Sequence, residues 1–250
     1  MIKKFTSVVL VASMTIGCTT AQQRNGTFGQ VLKGVLNQIE TKTGNSGAVS
    51  ENEVGMGIKE ALISGISKGA DSASRMDGFF KNPKIKIPLP PDIQRVETTL
   101  RKIGFGTQLD QFHLNLNRGA EDAAIQAKPI FISAIKSLTI KDAFNILRGE
   151  KNAATMYLKG STSSELTKIF EPIMEKSIAK TEATKYYTDL ANRYNAIPFV
   201  ANKINPDLKG FATQKALDGL FILIADEELK IRENPIARTT ELLKRVFGTK

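Results

Sequence analysis

Small residues recur at every fourth position after residue 50: Gly57, Ala61, Gly65, Gly69 and Ala73. Residues four apart lie on one face of an α-helix, so this face is almost bare of side chains. Each glycine inside a helix costs roughly 0.5–1 kcal/mol relative to alanine, and only close packing can offset that cost. The stripe therefore predicts a long helix, from 50 towards 80, that lies very close to another helix.

Helix signals follow one another along most of the chain. Asp92 opens a helix that should end at Gly104, and the next helix should run from about Thr107 to a stop before Pro129. The remaining start signals are the capping boxes Ser50/Glu53, Thr139/Asp142 and Thr162/Glu165, and the capping residues before proline in Asn205-Pro206 and Asn234-Pro235. The sequence predicts a single all-α bundle of about nine or ten helices.

A proline-rich segment at 82–91 interrupts these helices. Each proline forces its predecessor into an extended conformation, so we expect a stiff strap, and it is the only candidate for a strand. The alternation of Ile85, Ile87 and Leu89 with Lys84 and Lys86 predicts one apolar edge on the bundle and lysines in water.

The amino terminus is typical of an exported protein. Lys3 and Lys4 precede a short apolar run that ends before Cys18, the only cysteine, which indicates a signal peptide of the lipoprotein type over 1–17. Thr15 is unusual in a lipobox, and a cut after Ala21 is the alternative. Cys18 would receive a lipid, since a lone thiol in an oxidising compartment otherwise has no partner.

The signal also predicts a domain organisation. Residues 18–50 are rich in Gly, Ser, Thr, Asn and Gln and suit a tether, with one short helix where apolar residues recur between 28 and 39. Residues 51–250 would form the all-α domain. Thr19 after the cysteine favours the outer membrane, with the domain facing the periplasm.

The chain is basic, with a net charge of +10, and removal of Lys3 and Lys4 leaves 10 − 2 = +8 on the mature side chains. The basic residues are spread along the chain and do not alternate with aromatic residues in one stripe, so we expect no nucleic-acid partner. The expected partners are the membrane, through the anchor, and an apolar ligand or another envelope protein.

One motif of serine hydrolases occurs by sequence alone. Gly65-Ile66-Ser67-Lys68-Gly69 matches G-x-S-x-G, but it falls inside a predicted helix with no preceding strand. A packing role for the glycines is the better interpretation.

Four polar residues cluster in the most polar stretch of the bundle: His113, Asn117, Arg118 and Glu121. His113, Asn117 and Glu121 share a helix face, and Arg118 could reach Asp122 four residues on. His113 and Glu121 are about 12 Å apart along the axis, and no further ligand spacing is present, so we expect no metal and no cofactor. A polar network that fixes the helix register is the favoured hypothesis.

A second candidate cluster follows an apolar helix near the end of the chain and comprises Glu227, Glu228 and Arg232. Glu228 with Arg232, and Asp226 with Lys230, have the spacing of helix salt bridges. Adjacent carboxylates point about 100° apart on a helix, so we expect them to stabilise the helix instead of acting together on a substrate.

Three tyrosines form a candidate pocket. Tyr186 and Tyr194 lie at helical spacing with Tyr187 beside them, and their hydroxyls would be the polar groups of a ligand cavity.

Several ordered blocks of the chain resemble one bacterial family, the domain of unknown function numbered 4197. These blocks are residues 87–90, 112–121, 129–131, 142–143, 153–158, 185–187, 215–221, 227–235 and 242–248. The resemblance covers about residues 28–248 and implies an exported protein, with no activity attached. Gly119 departs from it, since alanine is expected there.

These observations favour a non-catalytic envelope lipoprotein that binds an apolar ligand or a partner protein. The first alternative is a carboxylate-based enzyme that acts on lipid or cell-wall material through Glu121, Glu227 or Glu228. The second is a structural scaffold in which the stripe of small residues meets another chain.

Overall fold

The computed structural model describes residues 50–180 and 205–233, with a few single positions between them. This part of the chain folds into six helices and contains no strand. The helices are α1 (Glu51–Ser74), α2 (Pro91–Lys102), α3 (Gly106–Ser137), α4 (Ile140–Arg148), α5 (Ala153–Ile178) and α6 (Leu208–Glu233). The predicted all-α class is confirmed. The predicted nine or ten helices are wrong for the described ranges.

The count differs because α3 continues through Pro129 and α5 continues through Thr162, the two places where we expected one helix to give way to another. Pro129 lies inside α3 and Pro172 inside α5. Each proline is exposed, and so is the residue four positions before it, Ile125 or Lys168, so water can reach the carbonyl that loses its helix bond. Thr162, expected to start a helix, is buried within α5 and donates its hydroxyl to the Leu158 carbonyl at 2.6 Å.

The stripe of small residues in α1 packs inside the bundle, against α6. All five of its residues are buried. A Cβ atom on Gly69 would be 3.3 Å from the backbone oxygen of Leu223, so the two helix backbones are nearly in contact. The predicted close helix packing is confirmed, and the partner of the stripe is a helix of the same chain.

The helix α1 ends earlier than its sequence predicts, at Ser74. Residues 75–81 form turns in which Asp77 has a φ of 64°, a left-handed conformation that is rare without glycine. Gly78 lies directly over the last carbonyls of α1, including that of Ala73, and leaves no room for a side chain. These turns reverse the chain and lead it into the strap.

The longest helix, α3, lies at the centre of the bundle and runs antiparallel to α1. Lys59 donates to the Lys136 carbonyl at 3.1 Å near one end, and Lys128 pairs with Asp71 at 2.8 Å farther along. Buried residues of all six helices and of the strap form one continuous core. Its largest fully buried side chains include Phe79, Phe112, Phe131 and Phe170. None of the helices described is apolar over a length sufficient to span a membrane.

The strap crosses α3 and α6 as an irregular segment. Ile85, Ile87 and Leu89 are buried while Lys84 and Lys86 are exposed, as the alternation predicts. Its first half is a turn and not a strand, because the backbone amides of 85 and 86 donate to the Asn82 carbonyl.

Candidate functional site

The side chain of Asn117 in α3 binds the strap as a neighbouring strand would. Its Oδ1 accepts from the backbone N–H of Ile87 at 2.8 Å, and its Nδ2 donates to the Ile87 carbonyl at 3.0 Å. Because Asn117 is fully buried, these bonds satisfy backbone groups that water cannot reach. One side chain therefore replaces the strand partner that the strap lacks.

Arg118, next to Asn117, and Glu121, one turn further along α3, bind the turns that follow α1. The Glu121 Oε1 atom accepts from the backbone N–H groups of Phe79 and Phe80 at 3.0 and 3.1 Å. Arg118 donates to Glu121 Oε2 at 2.5 Å and to Asp77 Oδ1 at 2.6 Å. The hydrogen bonds from Lys81 and Arg118 lower the pKa of Asp77. The ion pair between Arg118 and Asp77 holds Asp77 in its unusual backbone conformation.

His113 completes this face of α3. Its Nε2 atom is 2.9 Å from the Ile87 carbonyl, so the neutral ring donates there, and its ring meets that of Phe80 edge to face. Burial lowers the pKa of His113, and Lys86 acts in the same direction. The four predicted residues thus lie together, as expected, and bind the strap and the preceding turns. Arg118 pairs with Glu121 and Asp77 and not with the expected Asp122.

Glu228 lies on α6 and caps the start of α5. Its carboxylate accepts from the backbone N–H groups of Ala154 and Thr155, each at 2.9 Å, and from the Thr155 hydroxyl at 2.7 Å. The residue in the N-cap position, Asn152, makes no capping bond through its side chain. A buried carboxylate from another helix therefore satisfies the first amides of α5 and complements its dipole.

Arg232 connects Glu228 to the end of α4. It binds Glu228 Oε1 at 2.8 Å and donates to the last carbonyls of α4, with 2.9 Å to Ile146. A guanidinium at a helix carboxyl end is favourable for the same electrostatic reason. The pair Glu228–Arg232 thus joins the end of α4 to the beginning of α5. The predicted ion pair is confirmed, and its two capping partners are new.

Glu227 and Asp226 point elsewhere. Glu227 pairs with Lys230 at 2.5 Å, and Asp226 pairs with Lys84 of the strap at 2.6 Å. The expected pair of Asp226 with Lys230 is therefore wrong, because the strap brings a closer cation. The candidate charged cluster separates into a buried capping pair and two surface ion pairs.

A model of the family described as "Protein of unknown function (DUF4197)" matches residues 48–248. The chain belongs to this family. The match contains all six helices, the strap and both clusters. It begins at residue 48, so it does not include the stretch from 28 that also resembled the family. No curated protein and no solved structure matches the chain.

The serine-hydrolase motif and the possibility of a metal site in this DUF4197 chain can also be compared with the structure. Ser67 lies in the middle of α1, where Gly65 and Gly69 make room for α6, so the motif lacks its strand-to-helix turn. Among the residues described, no group of three or more His, Cys, Asp or Glu side chains is placed to hold a metal ion.

Tyr187 connects the start of α2 with the segment that precedes α6. Its hydroxyl donates to the Asn205 carbonyl at 2.9 Å and lies 3.4 Å from Asp92 Oδ2 at the start of α2. Burial, followed by Asp92, raises the pKa of Tyr187 to about 12. The other candidate pocket residues, Tyr186 and Tyr194, lie outside the described residues. So do Cys18, the tether with its short helix, the alternative cut after Ala21 and the start signal Asn234-Pro235.

A small cavity of the DUF4197 domain borders the Glu228–Arg232 pair. Its volume is about 20 Å³, enough for roughly one water molecule and far below the roughly 300–1,000 Å³ of ligand pockets. The lining residues are Ile58, Ala61, Leu62, Ile146, Leu147, Glu228, Ile231 and Arg232. This cavity does not have the size of a lipid site.

Two participants in these clusters were missed by sequence analysis. Asp77 and Thr155 bind Arg118 and Glu228 across 41 and 73 residues of chain. Helical spacing identifies partners three or four residues apart, so it gives no signal for contacts at such separations.

Proposed function

We propose that this chain is a non-catalytic envelope lipoprotein, anchored through Cys18 in the outer membrane, whose domain faces the periplasm and binds a partner protein. The observation that carries the proposal is the use of the two buried carboxylates. Glu121 and Glu228 each hold two backbone N–H groups and one arginine of the same chain. The chemistry that the sequence offered for a site is used to hold the fold together.

The same observation argues against the carboxylate enzyme. A general acid or base must exchange a proton with a substrate that it can reach. Glu121 and Glu228 are 3% and 4% exposed, and their oxygens accept hydrogen bonds within the protein. Glu227 is bound to Lys230. A substrate would have to displace contacts that connect whole helices.

A partner protein is favoured over an enclosed apolar ligand and over assembly through the stripe of small residues. The cavity beside Glu228 holds about one water molecule. The stripe in α1 is buried against α6 and is not available to another chain. These two facts, taken over the described residues, favour binding at the outer surface of the bundle.

The test compares the wild-type chain with C18S in its own cells. C18S is exported with a signal peptide that is cut without lipidation. We expect the wild-type chain in the membrane fraction and this C18S chain in the soluble envelope fraction, because the substitution removes the site of acylation. After extraction in mild detergent, we expect both chains to migrate in a complex larger than a monomer, since the folded domain carries the recognition. Wild-type chain in the soluble fraction, or a wild-type monomer after extraction, would contradict the proposal.

A further inference from the structure

Three apolar side chains are exposed near the turn between α2 and α3: Val96 on α2, and Ile103 and Phe105 in the turn itself; we call them the apolar tip. Their exposed fractions are 46%, 63% and 48%. On α2, Ile93 is the one residue that is buried, while Leu100 packs partly against the core. Val96 and Ile103, the latter at the C-cap of α2, are seven residues apart and so lie on one flank of this helix, which the described part of the chain leaves uncovered.

Phe105 conflicts with the local rules for a helix start. It occupies the N-cap position of α3, where Ser, Thr, Asp or Asn would satisfy a free amide, and it makes no capping bond. Gly104 before it has a φ of +97°, which turns the chain sharply and presents the ring to solvent. An aromatic residue that stabilises neither the helix nor the core at this position indicates a function outside the fold.

The charges around the apolar tip are mostly neutralised by each other. Arg101 binds Glu97 and Asp110, both at 2.8 Å, and Arg95 binds Asp92 at 3.2 Å. Lys102 is exposed and has no ion pair within the described part of the chain. The tip is therefore an apolar surface with a free cation at its border.

This border disfavours a second copy of the chain as the occupant. Arg95 and Lys102 are seven residues apart and border the same flank of α2. In an antiparallel pair of α2 helices, Lys102 of one copy would face Arg95 of the other, and Asp92 is already bound to Arg95, so the described residues of this contact offer no free carboxylate to neutralise the lysine. A lipid bilayer suits the tip better, because apolar side chains insert below the headgroups while a lysine ammonium stays among them.

The anchor can reach the same bilayer as the tip. The 32 residues of α3 separate the tip from the helix end that lies near the start of α1, about 48 Å away at 1.5 Å per residue. Cys18 and Ser50 are 50 − 18 = 32 residues apart. Fully extended, a chain of that length spans roughly 110 Å. The short helix expected between 28 and 39 would shorten this span to roughly 85 Å, which still exceeds the length of the domain.

We propose that the apolar tip inserts into the surface of the bilayer that holds the lipid anchor, so that the domain contacts the membrane at the α2–α3 turn. This inference rests on the proposed anchor at Cys18. Insertion would fix the orientation of the domain and determine which of its faces a partner protein meets.

The chain contains no tryptophan, so one substitution supplies a unique fluorophore. The acylated full mature chain carrying F105W is reconstituted into vesicles of phosphatidylethanolamine and phosphatidylglycerol with bromines on the acyl chains. The matched control is I125W, an exposed apolar position on the same helix, 55% exposed. We expect about twofold or greater quenching of F105W relative to unbrominated vesicles, and little quenching of I125W.

Further readouts separate the possible failures. Quenching of F105W should fall when I103D is added and should persist in high salt, because the insertion is apolar. If the chain floats with the vesicles but F105W is not selectively quenched, the insertion of the apolar tip is refuted and the proposed anchor stands. A chain that does not float would overturn the anchor and this inference together, and quenching lost in high salt would refute apolar insertion.

Discussion

Buried carboxylates in this protein act on the backbone of distant segments. A carboxylate taken out of water is costly unless several donors surround it, and Glu228 has five: two backbone amides, a hydroxyl and two guanidinium N–H groups. The pair with Arg232 follows from helical spacing. The contacts with Ala154 and Thr155 do not, because they depend on how α5 and α6 pack.

Substitution of Glu228 should therefore be far more damaging than substitution of its neighbour. We expect E228Q to lower the free energy of unfolding by about 3 kcal/mol, since it leaves Arg232 and the α5 amides without a carboxylate. For E227Q we expect a loss of less than about 1 kcal/mol, as it removes one ion pair near the surface. Urea unfolding of both variants measures this, and equal losses would refute the capping role.

Thr213 offers the opposite case within α6. Its hydroxyl is buried and has no hydrogen-bond partner among the described residues. The free-energy cost of removing this hydroxyl from water is therefore not offset by a hydrogen bond there. We expect T213V to leave stability unchanged or to raise it by up to about 1 kcal/mol. T155V, which removes a bond to Glu228, should lower it by about 1–3 kcal/mol. Thermal unfolding of the two variants gives the comparison, and a destabilised T213V would reveal a missing partner.

The single histidine should add a pH dependence to stability. Burial keeps the pKa of His113 below its ordinary 6.5, with Lys86 acting the same way and the Ile87 carbonyl, Glu97 and Asp110 opposing. The unfolded chain then binds a proton more readily than the native one. The neutral ring's contribution is complete above about pH 6.5 and is lost as the pH falls towards the lowered pKa.

The variant H113Q isolates this effect, because its amide can still donate to Ile87. We expect the difference in unfolding free energy between wild type and H113Q to decrease between pH 7.5 and pH 5. A difference that stays constant, or that grows in acid, would contradict the lowered pKa.

At the scale of elements, local signals located the starts of α1, α2 and α4, but the start of α6 is Leu208 and not Pro206, because Asp207 caps the helix by accepting from the Gly210 amide. The capping boxes at Ser50 and Thr139 are both formed. Thr162 has the same signature but lies within α5, because burial of the helix face outweighs the cap. The end of α1 was also missed, since it depends on Asp77 binding Arg118 across the bundle. Sequence patterns report what a segment prefers, and packing decides which preference prevails.

Two glycines inside helices should respond oppositely to the same substitution. A Cβ atom on Gly119 would lie 2.7 Å from the Ser177 Cβ atom, whereas one on Gly160 would have nothing within 4 Å. We expect G119A to lower the free energy of unfolding by about 1–3 kcal/mol through overpacking of α3 on α5. G160A should raise it by about 0.5–1 kcal/mol through helix propensity. Denaturant unfolding tests both, and a stabilised G119A would show that these helices can separate at little cost.

At the scale of the whole molecule, the described part of the DUF4197 domain is a helical bundle whose two buried carboxylates bind groups of the same chain. The all-α class, the apolar edge of the strap and the polar face of α3 could be predicted from the sequence. The role of that face could not be predicted. Its residues His113, Asn117, Arg118 and Glu121 bind the strap and the turns before it, and these contacts depend on how distant segments pack together. This internal use of the polar residues supports our proposal that the protein acts through its outer surface and an anchor at Cys18.

The most direct test of this account is native mass spectrometry of the mature chain, released gently from its own envelope with the anchor intact. We expect a mass that corresponds to the chain acylated at Cys18, in complex with a partner protein and without a lipid-sized adduct that dissociates on activation. An unmodified Cys18 would contradict the anchor. A releasable lipid-sized molecule would contradict the proposal of a partner protein and show that the protein carries a ligand.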